Sequence, residues 1–254
     1  MLWRRAGLAV LLTLAIAMSR SVAPHAGAAD LHVPILVFHN VAPHVAGRSA
    51  AARAYEVPPA VFEEEMAYLR DRAFTVVPLS ALVGALTGGP PVPARAVVIT
   101  FDDGWVTQYL NAVPVLRRFG YTATFFVFTN PIGRDTRFMT WDQLRELQRE
   151  GMTIGSHSWT HPRMTGLSPR AIHDQVAGSR ATLEKRLGTR IDFFAHPFGE
   201  HPPEIEAAVR EAGYVAARGF PGGAWNSPDR RWALHSVVAT ENVARFRQDV
   251  EPPR

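Results

Sequence analysis

The sequence predicts an α/β fold in which a parallel sheet closes into a barrel, and two observations carry that expectation. Strand-length and helix-length stretches alternate along the chain, the order that a parallel sheet with crossover helices requires. Residues capable of chemistry recur where those strands end, at His39, Asp102 with Asp103, His157 and His196. A barrel gathers strand ends at one mouth and explains that recurrence better than an open sheet does.

The elements follow in order. Residues 31–41 read as a strand whose apolar run Ile35-Leu36-Val37-Phe38 leads into His39-Asn40, and residues 48–55 as a surface loop. Phe62, Met66 and Leu69 stand at helical spacing in a helix over 58–70, with Glu63, Glu64 and Glu65 near its start. A short strand over 74–77 and a short helix over 80–86 precede the Gly/Pro linker 88–93. Val97-Val98-Ile99-Thr100-Phe101 is a buried strand that ends in Asp102-Asp103-Gly104. Side chains alternate along a strand, so both carboxylates face one site only if the strand breaks there, as Gly104 permits. The other reading is a solvated Asp-Asp-Gly turn.

Residues 109–119 form a helix kinked or started by Pro114 and closed by Gly120. Residues 123–128 are a buried strand. Thr140 and Gln143 make a capping box for a helix over 140–150, which Gly151 stops. A strand over 152–156 runs into His157. Ser168 and Pro169 open a long helix to Leu187, and Gly188 ends it. A strand over 191–195 enters His196-Pro197-Phe198-Gly199, followed by a helix over 202–212, a strand over 214–217, a loop over 219–229 and a last helix over 241–248.

Arg4 and Arg5 precede an apolar stretch over 6–18 that is too short to span a bilayer, and Ala26-Gly27-Ala28 offers small residues for cleavage. Residues 1–28 therefore read as a secretory signal peptide, with 29–254 as a single domain. Arg4, Arg5 and Arg20 would leave with it, which takes the formal net charge from +4 to +1. No basic stripe for nucleic acid is seen, and no stable membrane span would remain. The 254 residues include no cysteine, so disulfides and thiolate metal sites are excluded and any metal must be held by His, Asp or Glu. Export without disulfides suits a bacterial periplasm or cell wall.

His157 and His161 stand four residues apart, which places two imidazoles on one side of a helical turn, a spacing that grips a metal ion; chance surface histidines are the alternative. Two imidazoles and a carboxylate leave positions open on a zinc-like ion, the mark of a catalytic site. Trp105, Trp141, Trp159, Trp225 and Trp232 are candidates for stacking on sugar faces; Trp159, between the two histidines, is the one expected to line the site, and the others are left unassigned.

Thr100-Phe101-Asp102-Asp103-Gly104 and His157-Ser-Trp-Thr-His161, in this order and separation, resemble the first two motifs of the polysaccharide deacetylases, the NodB-homology carbohydrate esterases. The resemblance covers most of residues 29–254. It implies a distorted (β/α) barrel with fewer than eight regular units. It further implies a divalent metal ion held by Asp103, His157 and His161, with Asp102 as general base; zinc fits that ligand set, and other divalent ions could occupy it. The third family motif carries an arginine where this chain has Ala195, which puts the tuning of Asp102 in question. Pro197 and Phe198 still match, and the Phe198 N–H would be the oxyanion donor.

The last family motif, an apolar run ending in histidine, is matched at the front by Ile35–His39 rather than near Leu234-His235. That order resembles the circularly permuted poly-β-1,6-N-acetylglucosamine deacetylase branch and makes His39 the general acid; the alternative is a core histidine bonded to a backbone carbonyl. His196, His201 and His235 have no assigned role. The resemblance implies an exported metal-dependent N-deacetylase of an N-acetylated polysaccharide or oligosaccharide. A glycan-binding module with an inactive site and a small-molecule amide hydrolase are the rival readings.

Overall fold

The computed structural model describes residues 30–45, 47, 49, 53–219 and 221–252. The leader expected over 1–28 and part of the loop expected over 48–55 lie outside them. In chain order the strands are β1 (Leu31–His32), β2 (Ile35–Phe38), β3 (Asn40–Val41), β4 (Glu56–Val57), β5 (Thr75–Val76), β6 (Ala96–Phe101), β7 (Thr124–Val127), β8 (Thr153–Ser156), β9 (Phe193–Ala195), β10 (Ala216–Arg218), β11 (Trp225–Asn226) and β12 (Val237–Val238). The helices are α1 (Pro59–Asp71), α2 (Leu79–Leu86), α3 (Val113–Phe119), α4 (Trp141–Arg149), α5 (Pro169–Leu187), α6 (Pro203–Glu211) and α7 (Val243–Val250).

The main sheet runs β10-β9-β8-β7-β6-β2-β12, with β5 paired to the start of β6, and every pairing in it is parallel. It is a curled sheet rather than an evenly closed barrel. Its two edges approach through residues 234–238: Leu234 bridges Arg218 on β10, and β12 pairs with β2.

Strand alternation sorts the sheet's side chains into two cores. Leu36, Phe38, Val97, Ile99, Phe101, Phe125, Val127 and Phe194 belong to the layer under the helices, with Phe62, Leu116, Leu147 and Val176. Ile35, Val98, Phe126, Phe193, Ala195 and Ala216 form the inner core with Leu79, Leu82 and Leu234. His39, Asp102 and Arg218 stand an even number of residues beyond inner-core Ile35, Val98 and Ala216, and His157 stands three beyond outer-core Ile154, so the period of two aims all four at the inside of the mouth. Backbone bonds from Asp102 N–H to Phe38 O (2.8 Å) and from His157 N–H to Val127 O (2.9 Å) extend the strand pairing to those residues.

Three expectations are corrected. The strand expected over 31–41 is three short ones: Pro34 lacks an N–H and separates β1 from β2, and β3 leaves the main sheet to pair with β4; β1 instead pairs antiparallel with β11, inside the stretch expected to be loop. The helix expected over 109–119 begins with a π-helical turn, Gln108–Ala112, since Pro114 cannot donate to the carbonyl one turn back. The capping box at Thr140 and the helix start at Ser168 form as expected.

Candidate active site

Asp102 and Asp103 reach one site because the chain leaves the β-region immediately after Asp102. Asp103 has φ +74° and Gly104 φ +80°. Only glycine fits the second position, where an added Cβ would lie 2.8 Å from Val127 Cγ1.

Asp102 is buried at the floor of a cleft of about 610 Å³. Its Oδ2 accepts a hydrogen bond from the Arg218 guanidinium and lies 3.9 Å from His39 Nε2 and 3.8 Å from His157 Nε2. Burial pushes the Asp102 carboxyl up, but the Arg218 guanidinium, through its charge and its hydrogen bond, with the His157 and His39 rings facing the same oxygen, outweighs it and holds it below the usual carboxylate range. Arg218 thus stands where Ala195 leaves the third motif without its arginine. The two residues are partners in the β9–β10 register.

Asp103 Oδ1 lies 3.8 Å from His157 Nε2 and 3.6 Å from His161 Nε2. Burial lowers the His157 pKa to about 4, so the ring is neutral. Its Nδ1 is 2.8 Å from Ala195 O, and a carbonyl only accepts, so Nδ1 carries the proton and Nε2 presents its lone pair. The two Nε2 atoms stand 3.1 Å apart. Ligands at tetrahedral angles about 2.0–2.1 Å from zinc stand about 3.3 Å from one another, so Asp103, His157 and His161 fit a divalent cation.

The imidazoles do not converge on a helical turn, as their spacing suggested. Ser158 has φ +73° and His161 φ +58°. The turn is held by the His161 N–H on Ser158 Oγ (2.9 Å) and by Gln175 Oε1, which accepts from the Trp159 and Thr160 amides at 3.1 and 2.9 Å. Trp159 is turned away from the cleft: it is 42 % exposed, and its ring faces Gly178 of α5. Trp105 is the tryptophan that lines the cleft, and its Nε1–H donates to Asp103 Oδ2 at 2.9 Å.

His39 packs against Tyr55 with ring centroids 4.8 Å apart, and Gln108 Nε2 donates to the backbone oxygens of His39 (2.6 Å) and Asp102, tying the two strand ends together. Phe198, with φ +56°, lies 4.7 Å from the His161 ring, under the Arg163 guanidinium. His196 has the opposite strand parity to Asp102. Its ring lies beside Phe194, and its Nε2–H donates to Trp232 O at 2.9 Å. Burial lowers its pKa to about 3, which keeps it neutral. His201 pairs with Glu206 at 3.0 Å, and the His235 ring faces Gly222; neither touches the carboxylate pair. Arg218 and Gln108 are the contributors that motif reading missed; Trp105, named only as a candidate for sugar stacking, contributes a hydrogen bond to Asp103. Arg218 had a signal, since it ends an apolar run as His39 and His157 do.

A buried carboxylate paired to an arginine, beside a two-imidazole, one-carboxylate cluster able to hold a cation, at the mouth of a parallel α/β sheet, is an arrangement suited to hydrolysis. The family model for polysaccharide deacetylase matches residues 89–217, and the chain belongs to that family, whose members hydrolyse amide bonds. Bacillus subtilis YxkH, named for the same family, is 29 % identical over 213 residues, 84 % of this chain and 73 % of that protein. The Escherichia coli K12 poly-β-1,6-N-acetyl-D-glucosamine N-deacetylase is 29 % identical over 137 residues, 48 % of this chain and 20 % of that protein. The fold matches Streptococcus pyogenes deacetylase PplD (TM-score 0.80, 23 % identity, 88 % of this chain and 100 % of that one). It also matches IcaB of Ammonifex degensii (TM-score 0.75, 24 % identity, 86 % and 95 %).

Proposed function

We propose that the protein is an exported, divalent-cation-dependent N-deacetylase, one domain over residues 29–254, that removes acetyl groups from N-acetylglucosamine units of a glycan. Poly-β-1,6-N-acetylglucosamine is the favoured polymer. The observation that carries the reading is the division of labour between neighbours: Asp103 joins His157 and His161, while Asp102 stays outside that set, paired to Arg218.

Asp103, His157 and His161 would hold the cation, with zinc suited to one oxygen and two nitrogens. When bound, the cation supplies Lewis acidity that acidifies water and polarises a carbonyl. Asp102 takes the proton from the attacking water. The acetyl carbon becomes tetrahedral, and its oxygen gains charge, for which the N–H of Phe198, beside the His161 ring, would be the donor. Protonated His39 gives its proton to the departing sugar nitrogen, which is a poor leaving group as an anion. Acetate and a free amine on the glucosamine unit result.

The permuted motif order and the Escherichia coli relative support the choice of polymer. The charged, apolar, small-residue order of residues 1–28 supports export to the periplasm or cell wall; no helix among the described residues is long and apolar enough to cross a membrane. The test is acetate release from a glycan panel with and without chelator. Chelator-sensitive release from N-acetylglucosamine polymers, fastest on the β-1,6 polymer, is expected. Binding without release would make this an inactive glycan-binding module, and release only from small N-acyl compounds would make it an amide hydrolase of another kind.

A further inference from the structure

Asp103 uses its two oxygens differently. Oδ1 faces His157 and His161, and Oδ2 accepts the Trp105 indole N–H at 2.9 Å. A neutral donor on one oxygen leaves the carboxylate its full charge and directs the other oxygen alone toward a cation. The indole cannot swing away from this bond. Its ring stacks on Phe138 with centroids 4.5 Å apart and planes 21° apart. Backbone bonds from Val106 N–H to Arg137 O (2.8 Å) and from Met139 N–H to Gly104 O (2.9 Å) clamp the two segments together on either side of the stack. Phe138 meets Phe128 edge-on at 5.1 Å, and Phe128 lies 5.5 Å from the His161 ring. An aromatic wall therefore runs from one cation ligand to another, between loops that follow different strands.

We propose that Trp105 is a positioning residue for the cation site: its indole N–H occupies Asp103 Oδ2, so that Asp103 presents a single oxygen, Oδ1, on a frame set before the cation arrives. This role differs from stacking on a sugar face. It rests on the reading that Asp103, His157 and His161 hold the cation.

The test measures Zn2+ affinity of metal-stripped protein by competition with a chromophoric chelator, with the visible spectrum of the Co2+ form as a second readout. Trp105→Phe keeps a ring to stack on Phe138 and removes the N–H. Zn2+ affinity should fall about 10-fold or more, and the Co2+ bands should weaken as the freed oxygen joins the ion and raises its coordination number. The unfolding temperature of the metal-free protein should stay near that of the parent. Parental affinity and an unchanged Co2+ spectrum in Trp105→Phe, with His161→Ala still losing Zn2+, overturn the Trp105 role alone. Parental affinity in His161→Ala as well overturns the cation site and this proposal with it. Should Trp105→Phe not fold, Phe138→Leu keeps the N–H but frees the ring; weakened Zn2+ binding supports the role, and parental binding overturns it.

Discussion

Arg218 and Ala195 occupy one rung of the β9–β10 pairing, and the guanidinium that position 195 lacks reaches Asp102 from the neighbouring strand. Paired residues on adjacent parallel strands point to the same face. A cation can therefore move one strand sideways and still meet the same carboxylate.

Arg218→Ala should cut kcat at least about 10-fold with cation content unchanged, an effect on the base that general acid–base catalysis allows. Arg218 holds the Asp102 carboxyl down against burial. Without it the pKa rises, and the base is lost at a higher pH as acid is added, so the acid limb of the rate profile should move upward. The double variant Ala195→Arg with Arg218→Ala should recover part of the rate and return the limb toward its parental position. No recovery in a folded double variant would show that the strand of origin matters as well as the charge.

Asp102→Asn and His161→Ala should separate base from ligand. The first should keep its cation and lose about 10²-fold or more of turnover. The second should lose the cation itself, read as bound metal per chain after dialysis. An active Asp102→Asn would remove Asp102 as the base.

His39→Ala should lower kcat far more than KM on an acetylated glycan. The loss should shrink on an acetyl ester whose leaving group needs no proton, because the missing group acts on departure alone. An equal loss on both substrates would make His39 a packing residue against Tyr55.

Glu65, fully buried on α1, has its pKa pushed up to about 9, by burial first and by Glu64 second. The folded protein therefore keeps a proton that the unfolded chain releases above its ordinary value near 4.5. Stability falls as pH rises across that window, by up to about 1.4 kcal/mol per pH unit. Glu65→Gln should flatten the dependence and gain on the parent from pH 5 to pH 8 in denaturant titrations. Parallel curves for the two proteins would show that Glu65 is solvated.

Alternation and punctuation made most of this molecule legible. Gly120, Gly151 and Gly188 mark helix ends, and the apolar runs before His39, Asp102 and His157 mark strands whose ends carry the site. Arg218 escaped because the strand read over Tyr214–Ala217 stopped one residue early and left Arg218 unassigned before the loop read over 219–229. The antiparallel pair of Leu31–His32 with Trp225–Asn226 escaped because two-residue strands have no period to detect. The turn between His157 and His161 was mistaken for helix because an i, i+4 spacing is also met by a loop with left-handed residues. The Trp105 hydrogen bond depends on where a ring lands after the chain has folded, which no local pattern encodes.

Five described residues other than glycine have positive φ, and four of them, Asp103, Ser158, His161 and Phe198, are at the site. Each costs about 1–2 kcal/mol relative to a relaxed backbone. The surrounding sheet and helices must supply that energy, so the loops should be the first part of the molecule to distort on heating, ahead of global melting. Ser158→Gly relaxes the backbone without touching a ligand side chain, though it removes the hydroxyl that accepts the His161 amide. A heat-hardened enzyme is better sought in the helices, leaving this tension in place.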